Sequence, residues 1–219
     1  MPGPPIDLIT DLKAACSLRR AVETGTYLGG GSRELARVFE EVVTVELSRE
    51  LAARAQEWLP EVPNVKLLQQ DSRDALRALA NPEVPTLYFL DGHWSGGPTA
   101  GEESECPVMA EVDALVSGGE EDCVIIDDAR LFACPPPPPH DPSQWPTLIE
   151  LFDELRRLGD ARHVTLVSDY VISVPHRAKG IVDVWGATLL ASPSAQPAPG
   201  LAVTEATRPG RLRRWMRGA

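Results

Sequence analysis

Short apolar runs alternate with stretches whose apolar residues recur every three or four positions along most of the chain. The runs at Arg20–Glu23, Val42–Glu46, Val65–Gln69, Thr86–Leu90 and Cys123–Ile126 lack a regular polar alternation and predict strands buried on both faces. Between them the helical period appears over Ser32–Glu40, where Leu35, Val38 and Phe39 share a face, and over Ser48–Leu59, where Leu51, Ala55 and Leu59 do. Further helices are expected from about Ser72 to Leu79, over Val108–Val116 and over Pro146–Leu158. Strands without a polar face need cover on both sides, and helices between consecutive strands provide it. The pattern therefore predicts an α/β fold, a Rossmann-like doubly wound and mostly parallel sheet. After Arg162 the rhythm changes. Val164–Val167, Tyr170–Val174 and Ile181–Trp185 read as strands without intervening helices, expected to lie antiparallel at the C-terminal edge of the sheet. The expected organisation is an N-terminal helical cap over 1–18, the Rossmann-like domain over 19–190, and a Pro-rich, basic tail over 191–219. The proline run Pro135–Pro139 and the segment Ser192–Gly200 are expected loops, since proline has no N–H for a helix or ladder.

Open α/β sheets bind ligands beyond the C-terminal ends of their strands. Here those ends carry acids: Glu23, Glu46, Asp91 and Asp127, with Asp71 just after the third strand. The first strand runs into Glu23-Thr24-Gly25-Thr26-Tyr27-Leu28-Gly29-Gly30-Gly31-Ser32. Glycines there permit close backbone approach, and the following helix start offers free N–H donors. Glu46 ends the second strand, placed to accept hydrogen bonds from ribose hydroxyls. A Gly-rich turn followed by such an acid suits a nucleoside-containing ligand. Two such ligands are NAD and S-adenosylmethionine. The dinucleotide fingerprint is GxGxxG, whereas the glycines here are spaced GxxxG and Glu23 stands just ahead of them. A carboxylate in that place repels a pyrophosphate and suits a ligand carrying an ammonium and a sulfonium. S-adenosyl-L-methionine is the favoured cofactor on that ground.

The sequence resembles the class I S-adenosylmethionine-dependent methyltransferase superfamily in Val22–Ser32, its first motif, and in Val43-Thr44-Val45-Glu46, its second. The resemblance implies that Glu23, Gly25, Thr26, Gly29, Gly30 and Ser32 hold the methionine part. It places Glu46 on the ribose, and Asp71 and Ser72 against the adenine. Asp71 reads equally as an ordinary helix N-cap, and the two roles are compatible. Later motifs look like the metal-dependent O-methyltransferases of catechol and macrocin type: Leu87-Tyr88-Phe89-Leu90-Asp91-Gly92-His93-Trp94 and Val124-Ile125-Ile126-Asp127-Asp128. This implies Asp91, Asp127 and Asp128 as ligands of a divalent cation such as Mg²⁺, with His93 as the base that deprotonates an acceptor hydroxyl. Asp91 also borders the cofactor and counts with His93 in the catalytic set. Two departures stand out: a long helical N-terminal cap is lacking, and Gly92 separates Asp91 from His93. Asp128 alternatively caps the next segment, and His93 alternatively bonds only loop backbone. Ser95-Gly96-Gly97 reads as a lid or as a plain loop.

The formal net charge of −11 argues against nucleic acid or an anionic membrane as the partner. The basic cluster Arg208, Arg211, Arg213, Arg214 and Arg217 reads as a solvated tail. No apolar run is long enough to span a bilayer, and the first ten residues do not read as a signal peptide. The cysteines (Cys16, Cys106, Cys123, Cys134) show no metal spacing, which fits a reduced, cytoplasmic setting. The expected partner is a small-molecule acceptor. A second subunit, making a homodimer, is expected to help close a pocket that the short cap leaves open. The competing readings are an NAD-dependent oxidoreductase and a non-catalytic domain that binds the nucleoside ligand.

Overall fold

A computed structural model of the protein describes residues 3–96, 99–134 and 136–191. The expectations for Gly97, Pro135, Ser192–Gly200 and the arginine cluster beyond it lie outside those residues. Seven strands form one sheet: β1 (Arg20–Thr24), β2 (Val42–Glu46), β3 (Val65–Gln69), β4 (Thr86–Leu90), β5 (Cys123–Ile126), β6 (Arg162–Val167) and β7 (Tyr170–Pro175). Their order is β3-β2-β1-β4-β5-β7-β6. The first five are parallel, while β7 runs antiparallel to β5 and β6 antiparallel to β7. The sequence moves outward from β1 to β3 and then returns to the other side of β1 as β4. That reversal is the topological switch point, where a crevice opens at the strand ends.

Central strands are buried at every position, so neighbouring residues serve opposite cores. Ala21, Leu87, Phe89, Cys123 and Ile125 point to one face. Val22, Tyr88, Leu90, Val124 and Ile126 point to the other. On the first face lie α1 (Ile6–Cys16), contributing Leu8, Ile9, Leu12 and Cys16, and α2 (Gly30–Ala36), contributing Leu35. Also in chain order come α3 (Arg49–Trp58), packed on β2 and β3, and α4 (Ser72–Leu79). The second face is covered by Leu76 of α4, by Val108 and Val112 of α5 (Val108–Ala114), and by Leu151 and Leu155 further on. A four-residue helix, α6 (Arg130–Ala133), follows β5. Next is α7 (Leu148–Arg156), which carries those two leucines and starts at a capping box between Thr147 and Glu150, leaving Pro146 outside.

One element differs in kind from its expectation. Ile181–Trp185 is part of a helix, α8 (Lys179–Ala191), and not a strand. Val182 is buried in the first core, with Ile181 and Trp185 packed against it, so the apolar positions fall at i, i+1 and i+4. A five-residue segment with Asp183 among four apolar residues satisfies either period, and β6 already occupies the sheet edge. The antiparallel edge therefore has two strands. Smaller differences concern ends: α2 begins early, at Gly30, because Gly29 at φ +82° is its N-cap, and it stops at Ala36.

Candidate functional site

A cavity of about 610 Å³ opens at the C-terminal ends of β1 and β4. Its wall includes Glu23, Gly25, Thr26, Gly30, Glu46, Asp71, Ser72, Asp91, His93 and Asp127. The fold thus brings together in one cavity most of the residues singled out in the sequence. Gly29, Ser32 and Asp128 do not line it. Ser32 stands behind Glu23 and donates to its Oε2, and Asp128 stands behind His93.

The loop after β1 explains the glycines. Gly25 has φ +81°, and a Cβ there would lie 2.2 Å from the Asp91 carbonyl oxygen. The two strands can meet at their ends only because that atom is missing. A Cβ on Gly31 would lie 2.2 Å from Glu23 Oε1, so the first turn of α2 can rest on the Glu23 carboxylate. Glu23 is buried and accepts hydrogen bonds from Ser32 and, at 2.7 Å, from Thr44 Oγ1. When Glu23 is ionised, Thr44 donates to it and accepts from Thr26 at 2.6 Å. Burial nevertheless pushes the Glu23 carboxyl up to about 7.

Glu46 accepts from the backbone N–H of Tyr27 at 2.9 Å and of Ser48 at 2.8 Å, one per oxygen. A carboxylate has roughly four acceptor positions, so each oxygen keeps capacity for a ligand hydroxyl. Asp71 is the N-cap of α4, accepting from Arg73 N at 2.9 Å, and it pairs with the Arg73 guanidinium at 2.5 Å. The cap role expected as one alternative is present, and Asp71 also faces the cavity.

The acids beyond β4 and β5 are arranged around His93. Its Nε2 lies 3.0 Å from Asp128 Oδ2 and its Nδ1 3.5 Å from Asp91 Oδ1. Asp128 has φ +57°, a left-handed conformation that breaks strand alternation, so Asp127 and Asp128 are not forced to opposite faces. The Asp91, His93 and Asp128 side chains offer donor atoms within 4.8 Å of one another, and so do Asp127, Asp128 and Asp169. Burial lifts Asp91 to about 8 and Asp127 to about 6, with neighbouring acids adding to both. Burial alone would lower His93, but the Asp128 hydrogen bond and the charges of Asp91, Asp128 and Asp127 outweigh it and raise it. Asp127 Oδ1 accepts from Asp128 N at 2.8 Å, while the buried Oδ2 has no hydrogen-bond partner. An orphaned buried carboxylate oxygen fits a cation ligand. Asp128 is more committed: Arg130 stands 2.7 Å from its Oδ1 and also pairs with Asp169.

Several of these residues gave no signal in the sequence. Thr44 was the legible exception, a single polar side chain inside a β-branched run. Arg130 and Asp169 meet only because β7 folds back beside β5. Glu111 is buried with one oxygen unpartnered, and Gly92 leaves room for it: a Cβ there would lie 2.9 Å from Glu111 Oε1.

No protein-family model and no curated protein matches the sequence. Solved structures do. A proposed caffeoyl-CoA O-methyltransferase from Staphylococcus aureus is similar at a TM-score of 0.56 and 14% identity, over 78% of this chain and 82% of that one. The O-methyltransferase TomG from Streptomyces achromogenes, involved in tomaymycin synthesis and solved with SAM, is similar at 0.56 and 20% identity, over 80% and 81%. This chain has the Rossmann-like methyltransferase fold. A proposed methyltransferase from Streptococcus mutans in complex with SAH shares that fold at 0.54 and 12% identity, over 80% of this chain and 99% of that one. In this methyltransferase fold the cavity lies at the switch point between β1 and β4.

Proposed function

We propose that the protein is an S-adenosylmethionine-dependent methyltransferase that methylates a hydroxyl of a small molecule with the help of a divalent cation. The observation that carries this reading is the convergence on a single cavity of Glu23, Glu46 and Asp71, from the ends of β1, β2 and β3, with Asp91, His93 and Asp127, from the ends of β4 and β5. Likeness to structures solved with SAM and with SAH supports it.

In this reading Glu23 and the Gly25–Gly30 backbone face the methionine part, Glu46 accepts from the ribose hydroxyls, and Asp71 and Ser72 flank the adenine. Asp91 and Asp127 would hold the cation, and Asp128 would join them on release of its Oδ1 by Arg130 or its Oδ2 by His93. A bound Mg²⁺ would lower the pKa of the acceptor hydroxyl and fix its orientation. Neutral His93, its Nε2–H donating to Asp128, would accept the hydroxyl proton at Nδ1, and Asp128 with the nearby Asp91 would stabilise the imidazolium. The acceptor oxygen bonds to the methyl carbon as the carbon–sulfur bond breaks, giving a methyl ether and S-adenosylhomocysteine. The acceptor is expected to be a sugar or natural-product scaffold. The four cysteines are unpaired, which supports a reducing, cytoplasmic setting. A second copy of the chain is expected to close the open side of the cavity.

Calorimetry with S-adenosylmethionine, S-adenosylhomocysteine and NAD tests the cofactor: the first two are expected to bind, and binding of NAD alone overturns the reading. Repeating it with Mg²⁺ and with EDTA tests the cation. Divalent-ion binding that persists unchanged in Asp127→Ala removes Asp127 from the ligand set.

A further inference from the structure

Glu105 lies outside the cavity wall, yet it is 3% exposed and its carboxylate accepts three hydrogen bonds. Its Oε1 accepts from Asp141 N at 2.9 Å. Its Oε2 is shared by Trp145 Nε1 at 2.9 Å and His140 Nδ1 at 3.0 Å. Its main chain is equally engaged: the carbonyl accepts from Trp94 N at 2.7 Å, and the N–H donates to Gln144 Oε1 at 2.9 Å. Burial pushes this carboxyl up, but the bonds from Trp145, Asp141 and His140 outweigh it and hold it below the ordinary glutamate value. Charge-assisted bonds of this kind are stronger than neutral ones.

The partners lie on two separate loops that meet at His93. Trp94, fixed by the Glu105 carbonyl, is the residue directly after His93. Trp145, fixed by the Glu105 carboxylate, presents its indole to the His93 ring at 5.5 Å between centroids, in an edge arrangement. His140 closes the circuit, standing edge-on to both Trp94 at 5.1 Å and Trp145 at 5.6 Å. The imidazole of His93 is thus confined from its backbone side and its ring side by groups that share one anchor, and its nitrogens face Asp91 and Asp128.

We propose that Glu105 is the positioning residue of the site: it clamps the loop after β4 to the loop before α7 and so orients His93 towards Asp91 and Asp128. The role given to His93 rests on the proposed function; the clamp itself does not. A rotamer held by packing and by bonds behind it is what a proton-accepting group needs, since a misplacement of the order of 1 Å costs about 10²-fold in rate.

The test reads His93 directly in the cofactor-free, full-length protein. Four histidines make side-chain nitrogen NMR tractable, with His93→Gln supplying the assignment. In the wild type, a nuclear Overhauser contact between the Trp145 indole and the His93 ring is expected, and its absence overturns the proposal. In Glu105→Gln, one hydrogen-bond acceptor faces the Trp145 and His140 donors less favourably, and the His93 nitrogen signals are expected to shift and broaden or split. Trp145→Phe keeps a ring and loses the N–H, and is expected to do the same to a smaller degree. S-adenosylhomocysteine affinity is expected to change less than about twofold in both, because Glu105 and Trp145 do not line the cavity. Unchanged His93 signals in folded variants overturn the clamp, and if Glu105→Gln does not fold, Trp145→Phe decides. If no variant or wild type binds S-adenosylhomocysteine while His93 still moves, the proposed function falls and the clamp stands.

Discussion

Glu23 has its charged form opposed by burial and supported only by the hydroxyls of Ser32 and Thr44, and its carboxyl rises from an ordinary 4.5 to about 7. The sign of the linkage follows from that direction. A group that binds its proton more tightly in the folded state favours folding fully below the unfolded value, about 4.5, and that contribution disappears as pH rises through about 7. The span corresponds to at most about 3 kcal/mol. Glu23→Gln removes the charge and keeps an oxygen for the two hydroxyls. Its melting temperature relative to the wild type is expected to climb between pH 5 and pH 8, and parallel curves over that range would sink the argument. Residue identity at this scale was readable where local chemistry is severe: an acid followed by glycines at a strand end. The reason for Gly25 was not readable, because the atom that excludes a side chain there belongs to Asp91, on a strand far away in sequence.

At the scale of elements, hydrophobic pattern located β2, β3, β4 and β5 and the start of α4 at the observed residues. β2, β4 and β5 are short, flanked by turns and buried on both sides, so their composition distinguishes them, whereas β3, expected to be buried on both faces, is the edge strand and only partly buried. The error at Ile181–Trp185 has the converse cause: the run is too short to display a period, and its flanking Gly180 and Gly186 read as strand ends although both lie inside α8. Val184 offers a direct check, since it is 68% exposed on α8 and packs little. In a helix Val184→Ala gains roughly 0.5 kcal/mol, because the β-branched side chain loses rotamers there. In a strand the same change would cost stability. Urea denaturation is expected to show the small gain, and a loss would argue against the helix.

Across the whole molecule the sheet is a partition between two cores, and α1 is one of the helices that complete the first. Leu8, Ile9, Leu12 and Cys16 are fully enclosed there, alongside Val182 of α8. Just ahead of α1, Gly3 and Pro4 reach the cavity wall, and Gly3 O accepts from Tyr170 Oη at 2.8 Å. Leu12→Ala is therefore expected to cost about 2–5 kcal/mol, the range for emptying a buried leucine site. A measured cost under about 1 kcal/mol would mean that α1 is peripheral to the core. The layers also explain why the acids converge: parallel strands end on one side, and the return of the chain at β4 brings Asp91 beside the end of β1. The bond from Asp91 N to Thr24 O, 3.1 Å long, closes that junction.

The sequence by itself determined the alternation of strands and helices, the acids that end the strands and the Gly-rich turn. These follow from residue properties that act within a few positions: burial on two faces, left-handed backbone, charge at a strand end. Only the tertiary structure decided that Ile181–Trp185 is helical, because packing on the first core chose between two periods the run allows. It likewise decided that His93 stands between Asp91 and Asp128, that Arg130 joins Asp128 to Asp169, and that Glu105 ties two loops to His93. Those contacts span 35 residues or more in the cases of His93 with Asp128, Arg130 with Asp169, and Glu105 with His140. Their geometry is set by where the sheet places its strand ends, and no local pattern encodes that placement.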